Sequence, residues 1–175
     1  EMCIRDRCKL FQTRFHELKI DNAKATENEA TYKKAINALF TWCFIWSVGG
    51  SISEETWTNF DDWVRDKFAD KISIPGGGDV HDYYVDLPSK DFKPWKDIVA
   101  DFAYDPKASF FSMLVPTVDT VRYSFVFEYS VSVMKPVLFT GHSGVGKSVV
   151  IADTMNKLVD AGEWAKLELS VSAQT

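Results

Sequence analysis

Eight consecutive residues, Gly141-His142-Ser143-Gly144-Val145-Gly146-Lys147-Ser148, meet the spacing Gly-x-x-x-x-Gly-Lys-Ser/Thr at every position. No other stretch restricts the local fold as strongly. Before it, Pro136-Val137-Leu138-Phe139-Thr140 reads as a short buried parallel strand. After it, Val149, Val150, Ile151, Met155 and Leu158 recur at helical spacing, and Gly162 is placed to cap a helix ending near Ala161. Strand, glycine loop and helix in that order make a cradle for a polyphosphate. Backbone N–H groups must come close to the anion, which excludes side-chain bulk, so Gly141, Gly144 and Gly146 let the chain wrap tightly. The amides of His142, Ser143, Val145 and their neighbours then face inward, and the helix opening near Lys147 adds unpaired N–H groups and a positive dipole end. Lys147 is expected to reach the β- and γ-phosphates of ATP, and the Ser148 hydroxyl to bind Mg²⁺. The expected nucleotide-binding run is Gly141 to Val149.

The chain ahead of the loop reads differently. The start, Glu1 to Arg7, shows neither a signal peptide's apolar core nor a useful period, and Leu10 to about Glu29 is polar and only loosely periodic, with Leu10, Phe11, Phe15 and Leu18 as a short helix. Tyr32, Ile36, Leu39, Phe40, Cys43 and Phe44 form a helical stripe that Gly49-Gly50 ends, and Trp42, Ile45 and Trp46 imply cover nearly all round. Ser51-Ile52-Ser53-Glu54 fits a capping box for a helix presenting Trp57, Phe60, Val64 and Phe68. Pro75-Gly76-Gly77-Gly78 is a turn, since no lysine and helix follow it. Asp79 to Asp86 suggests a strand, and Trp95, Ile98, Val99 and Phe102 one short helix. Pro88, Pro94 and Pro106 break this region, which sets a boundary near Lys107. Beyond it, Pro116-Thr117 opens a helix carrying Val118, Val121, Phe125, Tyr129 and Val133. Tyr123, Phe125, Phe127, Tyr129, Val131 and Val133 also alternate as a strand would, and periodicity does not choose. Trp164 to Val171 alternates as a second strand.

Composition excludes some classes. The net charge of −5 is spread over the whole length, with 15 basic and 19 acidic residues in 1–108 and 5 and 6 in 109–175. That argues against a nucleic-acid surface. The longest apolar run, Ala38 to Val48, is too short to span a bilayer, so no membrane role is expected. Cys3, Cys8 and Cys43 lack zinc-site spacing and suggest a reduced, intracellular setting. His16, His81 and His142 are scattered, and no other catalytic set competes with the loop.

Turnover of ATP needs a further acidic residue on an apolar strand and commonly an arginine. Nothing after Ser148 supplies them, and Asp86 and Asp101 precede the loop, out of the order that fold requires. No catalytic residue is therefore assigned, and the chain reads as a nucleotide-binding piece of a larger enzyme. Unpaired sheet edges should make it poorly soluble by itself. Two alternatives remain: a nucleotide held structurally without turnover, or an unrelated P-loop NTPase. The latter is disfavoured because about 130 residues precede the loop.

The segments FIWSVGGSI (44–52), FDDWVRDKF (60–68), GDVHDYYVD (78–86), LVPTVDTVRY (114–123), KPVLFTGHSGVGKS (135–148) and LSVSAQT (169–175) together resemble dynein heavy chains, at the join of the second and third AAA+ modules of the motor ring. The resemblance covers residues 30–175. It implies an α/β P-loop NTPase (AAA+) domain beginning over residues 108–175, preceded over 30–107 by a mainly α-helical small subdomain and connector, with 1–29 poorly defined. It also implies that Val118 to about Val133 is the leading helix and that Val115, Pro116 and Thr117 line the adenine side of the ATP pocket. The partners implied are the rest of the motor ring, microtubules, and dynein intermediate and light chains. Val145 and Val149-Val150 lean toward ciliary forms, hence a ciliary or flagellar axonemal place in the cytoskeleton, with the cytoplasm as the alternative.

Overall fold

The structure is a computed structural model that describes residues 11–18, 28–102, 115–162 and 164–171. The boundary expected near Lys107, most of the apolar run 110–115 and the cysteines Cys3 and Cys8 lie outside the described residues.

The first long element, α1 (Glu29–Val48), supplies more of the core than any other element: Ala35, Ala38, Leu39, Trp42, Cys43, Ile45 and Trp46 are buried along it. The two hydroxyls inside this apolar helix are satisfied by the preceding turn, Thr41 donating to the Asn37 carbonyl at 2.8 Å and Ser47 to that of Cys43 at 2.6 Å. Cover is less complete than expected, because Phe40 is about half exposed. Burial pushes the Cys43 thiol up to about 12, which makes it a packing group and not a nucleophile.

Gly49 ends α1 and opens a 3-10 turn, Gly49–Ser51. Its backbone is ordinary right-handed helix (φ −71°), so a side chain is excluded here by packing alone. A Cβ at Gly49 would lie 2.4 Å from Phe60 Cε1 and 2.8 Å from His81 Nε2. Gly49→Ala is expected to cost about 2 kcal/mol, read as a lower urea midpoint at unchanged m.

The expected capping box at Ser51 and Glu54 does not form. A second 3-10 turn, Glu54–Thr56, intervenes, and no side chain caps either turn or the start of α2 (Trp57–Phe68). That intervening turn puts the helix start three residues past Glu54, out of reach of the box. Val64 of α2 is buried, with Trp57, Phe60 and Phe68 half-buried on the same face as expected. Arg65 donates to the carbonyls of Ile74, Pro75 and Gly78 at 3.0, 2.9 and 2.8 Å, and so holds the glycine turn against α2.

The strand expected from Asp79 starts four residues later. Asp79 and Asp82 form a reciprocal capping box around the 3-10 turn Val80–Asp82, and only then does β1 (Tyr83–Asp86) begin. It pairs antiparallel with β2 (Asp91–Pro94), Val85 opposite Phe92. Trp95 to Phe102 is likewise not a helix: a 3-10 turn, Trp95–Ile98, anchors buried Trp95 and then releases the chain. At the hairpin the Lys93 ammonium (2.8 Å) and the Ser89 hydroxyl and amide all donate to Asp86 and hold its carboxyl at about 2. A depressed pKa contributes stability above the ordinary value near 3.8, lost as pH falls through about 2. Urea midpoints between pH 4 and pH 2 should therefore fall less steeply in Asp86→Asn than in the parent.

Residues 118–132 are helical, which decides the ambiguous alternation. The helix, α3 (Val118–Ser132), is capped by a reciprocal Thr117–Thr120 box. It is clad on two opposite faces, so apolar residues recur at both periods. On one face Phe125 enters a box of Trp42, Tyr84 and Trp95, at centroid distances of 5.9, 6.4 and 5.1 Å. On the other, buried Phe127 meets Phe139 edge-on at 5.4 Å. Arg14 closes the first interface: 5% exposed, it donates to Tyr129 Oη at 2.6 Å and the Val85 carbonyl at 2.7 Å. The last helix, α4 (Lys147–Asp160), packs along α3.

Among the described residues the hairpin is the one sheet, so the two strands expected at Pro136–Thr140 and Trp164–Val171 are not strands here. Neither run joins a ladder, and Leu138, Leu167, Leu169 and Val171 stand about 80% exposed. Alternation specifies an extended chain, but a strand also needs a neighbour to accept its N–H groups.

Candidate nucleotide-binding site

The elements around the loop present it at a helix end. After α3 the chain turns at Met134, a non-glycine residue at φ 57°, where Met134 N–H donates to Val131 and Lys135 N–H to Ser130. This is a Schellman closure with methionine at the left-handed position. Residues 135–140 then run to the loop, kept in place by Phe139 against Phe127.

Gly141, Gly144 and Gly146 have φ of 145°, 83° and 84°, values that side-chain-bearing residues rarely adopt. They curl the chain into a bowl. Gly146 is the N-cap of α4 and provides no side-chain acceptor, so no side chain of the cap competes for the first-turn N–H groups. Val149 and Val150 N–H both donate to the Gly146 carbonyl, at 3.1 and 3.0 Å. Lys147 folds back over the bowl, its ammonium donating to the Gly141 carbonyl at 3.0 Å and to that of His142 at 2.5 Å. His142, Ser143, Val145 and Ser148 are exposed around it, Val149 is half-buried and Val150 buried. The groups offered are N–H, ammonium and hydroxyl. That donor set fits a polyphosphate with a hard cation at the hydroxyl.

The other predicted site residues sit apart in part. Thr117 caps α3, Val115 is exposed, and Pro116 lines a cavity of about 340 Å³ between α3 and α4. The far wall of that cavity includes Asp153 and Lys157, two and three turns beyond the loop, paired at 2.7 Å. Asp86 is engaged by Lys93 and Ser89, and Asp101 is exposed. Among the described residues no group of three His, Cys, Asp or Glu could hold a metal ion, and no helix is long and apolar enough to cross a membrane.

The profile of the dynein heavy chain AAA lid domain matches residues 2–97, more than half of the chain. The chain belongs to the dynein heavy chain family. The P-loop containing dynein motor region matches residues 102–175, which places the glycine loop and α4 in an AAA+ fold. Similar dyneins include human dynein axonemal heavy chain 6, 39% identical over 138 residues. Others are the dynein alpha chain of the flagellar outer arm of Chlamydomonas reinhardtii, 30% over 159, and human dynein axonemal heavy chain 2, 31% over 145. These alignments cover 78%, 89% and 82% of this chain but 3% of each relative, so the chain spans a small part of the dynein heavy chains it matches.

In this dynein segment α1, α2 and the hairpin thus belong to the lid, and α3 and α4 to the P-loop motor region. Sequence reasoning missed the two arginines that join them, Arg14 and Arg122. Each is buried and pairs with a carboxylate three residues away, Glu17 or Asp119, but the partners that make the joint, Tyr129 and Val85 for Arg14 and Asp82 for Arg122, lie far off in the chain.

Proposed function

We propose that this dynein segment binds ATP with Mg²⁺ at Gly141–Ser148, as a regulatory nucleotide site of the third AAA+ module in a microtubule motor. The observation that supports it most is the loop itself: three left-handed glycines, an N-cap without a side-chain acceptor, and Lys147 directed across the bowl. In this reading the amides from His142 to Ser148 and the Lys147 ammonium bind the phosphates, and the Ser148 hydroxyl orients Mg²⁺. Bound Mg²⁺ supplies charge neutralisation between phosphates. Val115, Pro116 and Thr117 lie on the adenine side, an assignment supported by their position just ahead of capped α3. The ring's other modules, microtubules and associated dynein chains are the partners, and the ciliary axoneme the location, in keeping with the axonemal and flagellar relatives.

An acyl-phosphate derivative of ATP, which transfers its acyl group to a lysine beside the bound phosphates, tests this in the full-length heavy chain. Lys147 should be acylated and saturating ATP should protect it, as read by mass spectrometry of its peptide. Labelling of other lysines with Lys147 untouched would refute the reading.

A further inference from the structure

Arg122 takes no part in the loop, yet it is the one charged side chain of α3 that is buried, with 8% of it exposed. Its guanidinium spans the joint. One nitrogen lies 3.2 Å from Asp82 Oδ1 in the lid, and another 2.7 Å from Asp119 Oδ1 in α3. The planar group lies over the Trp57 ring at 5.0 Å, and Trp57 in turn stacks on buried His81 at 4.4 Å. Asp82 is not free to follow a moving arginine, because its other oxygen accepts from the Asp79 amide at 3.0 Å within the capping box.

A buried guanidinium that loses one of its carboxylates is destabilised, so α3 strongly favours the pose in which Arg122 reaches Asp82. That pose passes to the loop by a short path. Phe127 holds Phe139 at 5.4 Å, and Phe139 stands two residues ahead of Gly141. We propose that Arg122 is a positioning residue for the phosphate loop: through Asp82 and Trp57 it locks α3 to the lid, so nucleotide affinity at Gly141–Ser148 depends on a carboxylate of the lid. This rests on the nucleotide reading above.

The test uses the full-length heavy chain and the same acyl-phosphate probe, with the ATP concentration that half-protects Lys147 as the readout. Arg122→Met and Asp82→Asn should each raise that concentration about 5–10-fold, and Arg122→Lys, which cannot bridge both carboxylates over Trp57, should raise it as well. Asp119→Asn, which removes the partner inside α3, should raise it less than Asp82→Asn does. A merely structural role would reduce the amount of labelled chain and leave the half-protecting concentration where it was. Should Arg122→Met fail to fold, Asp82→Asn carries the test, since that carboxylate is 43% exposed and its loss is the milder change. Unchanged half-protection in Asp82→Asn, with Lys147 still protected by ATP, overturns the positioning role and leaves the site intact. Failure of ATP to protect Lys147 in the parent overturns the site itself.

Discussion

Lys147→Ala should weaken nucleotide binding at this loop by roughly 100-fold while leaving the fold in place. Removing one partner of a charge-assisted phosphate contact costs about 3 kcal/mol, and each 1.4 kcal/mol is a factor of ten in affinity. The same change removes little from the protein alone, because the ammonium's contacts with the Gly141 and His142 carbonyls are exposed to solvent. Affinity and stability should therefore separate: a large fall in binding of a fluorescent ATP analogue at this site, with a shift in melting of about 1 °C or less. Lys147→Arg should not restore binding, because a planar fork cannot take the place of a compact ammonium over a bowl of this size. Equal binding by parent and Lys147→Ala would mean that the phosphates are held elsewhere.

Trp95→Ala is expected to be the most damaging single change to the lid, at about 4 kcal/mol. Trp95 is fully buried, stacks on Tyr84 at 5.0 Å, meets Phe125 at 5.1 Å and donates from Nε1 to the His81 carbonyl at 2.9 Å. Truncation removes a large apolar volume, opens the box that holds Phe125 and leaves a buried carbonyl without its donor. Trp42 is a useful contrast. It is equally buried and also touches Phe125, at 5.9 Å, but its Nε1 has no acceptor among the described residues. Trp95→Phe should thus cost about 2 kcal/mol and Trp42→Phe about 1 kcal/mol, the difference being the hydrogen bond. Urea denaturation of the three variants checks the order, and equal losses for the two Phe substitutions would contradict the assigned role of the His81 contact. Native stabilities are about 5–15 kcal/mol, so Trp95→Ala removes a substantial share.

The loop and the helix after it were legible because their chemistry is local. Close approach of backbone to anion requires glycine at fixed offsets, and the helix follows within the same dozen residues. The closure of α4 at Gly162, φ 82°, was legible for the same reason. What failed depended on partners far off in the chain. Leu167, Leu169 and Val171 alternate as a strand does, yet pairing is a property of two segments and alternation describes one. Around Ser51 a matching four-residue spacing was outweighed by two 3-10 turns, while the boxes that do form use Asp79 with Asp82 and Thr117 with Thr120. Helix α3 was ambiguous for a structural reason, since burial against the lid and against Phe139 puts aromatics on both sides of it. Arg14 and Tyr129 lie 115 residues apart and Arg122 and Asp82 lie 40 apart, separations across which composition and spacing carry no information.

A structure of the full-length heavy chain with Mg²⁺ and a slowly hydrolysed ATP analogue would measure the central claim directly. The account predicts phosphate density inside the bowl of Gly141–Ser148, with the Lys147 ammonium turned from the Gly141 and His142 carbonyls to the phosphates and the Ser148 hydroxyl on the metal. Density for the analogue at other loops of the same chain, with Lys147 still on those two carbonyls, would contradict it.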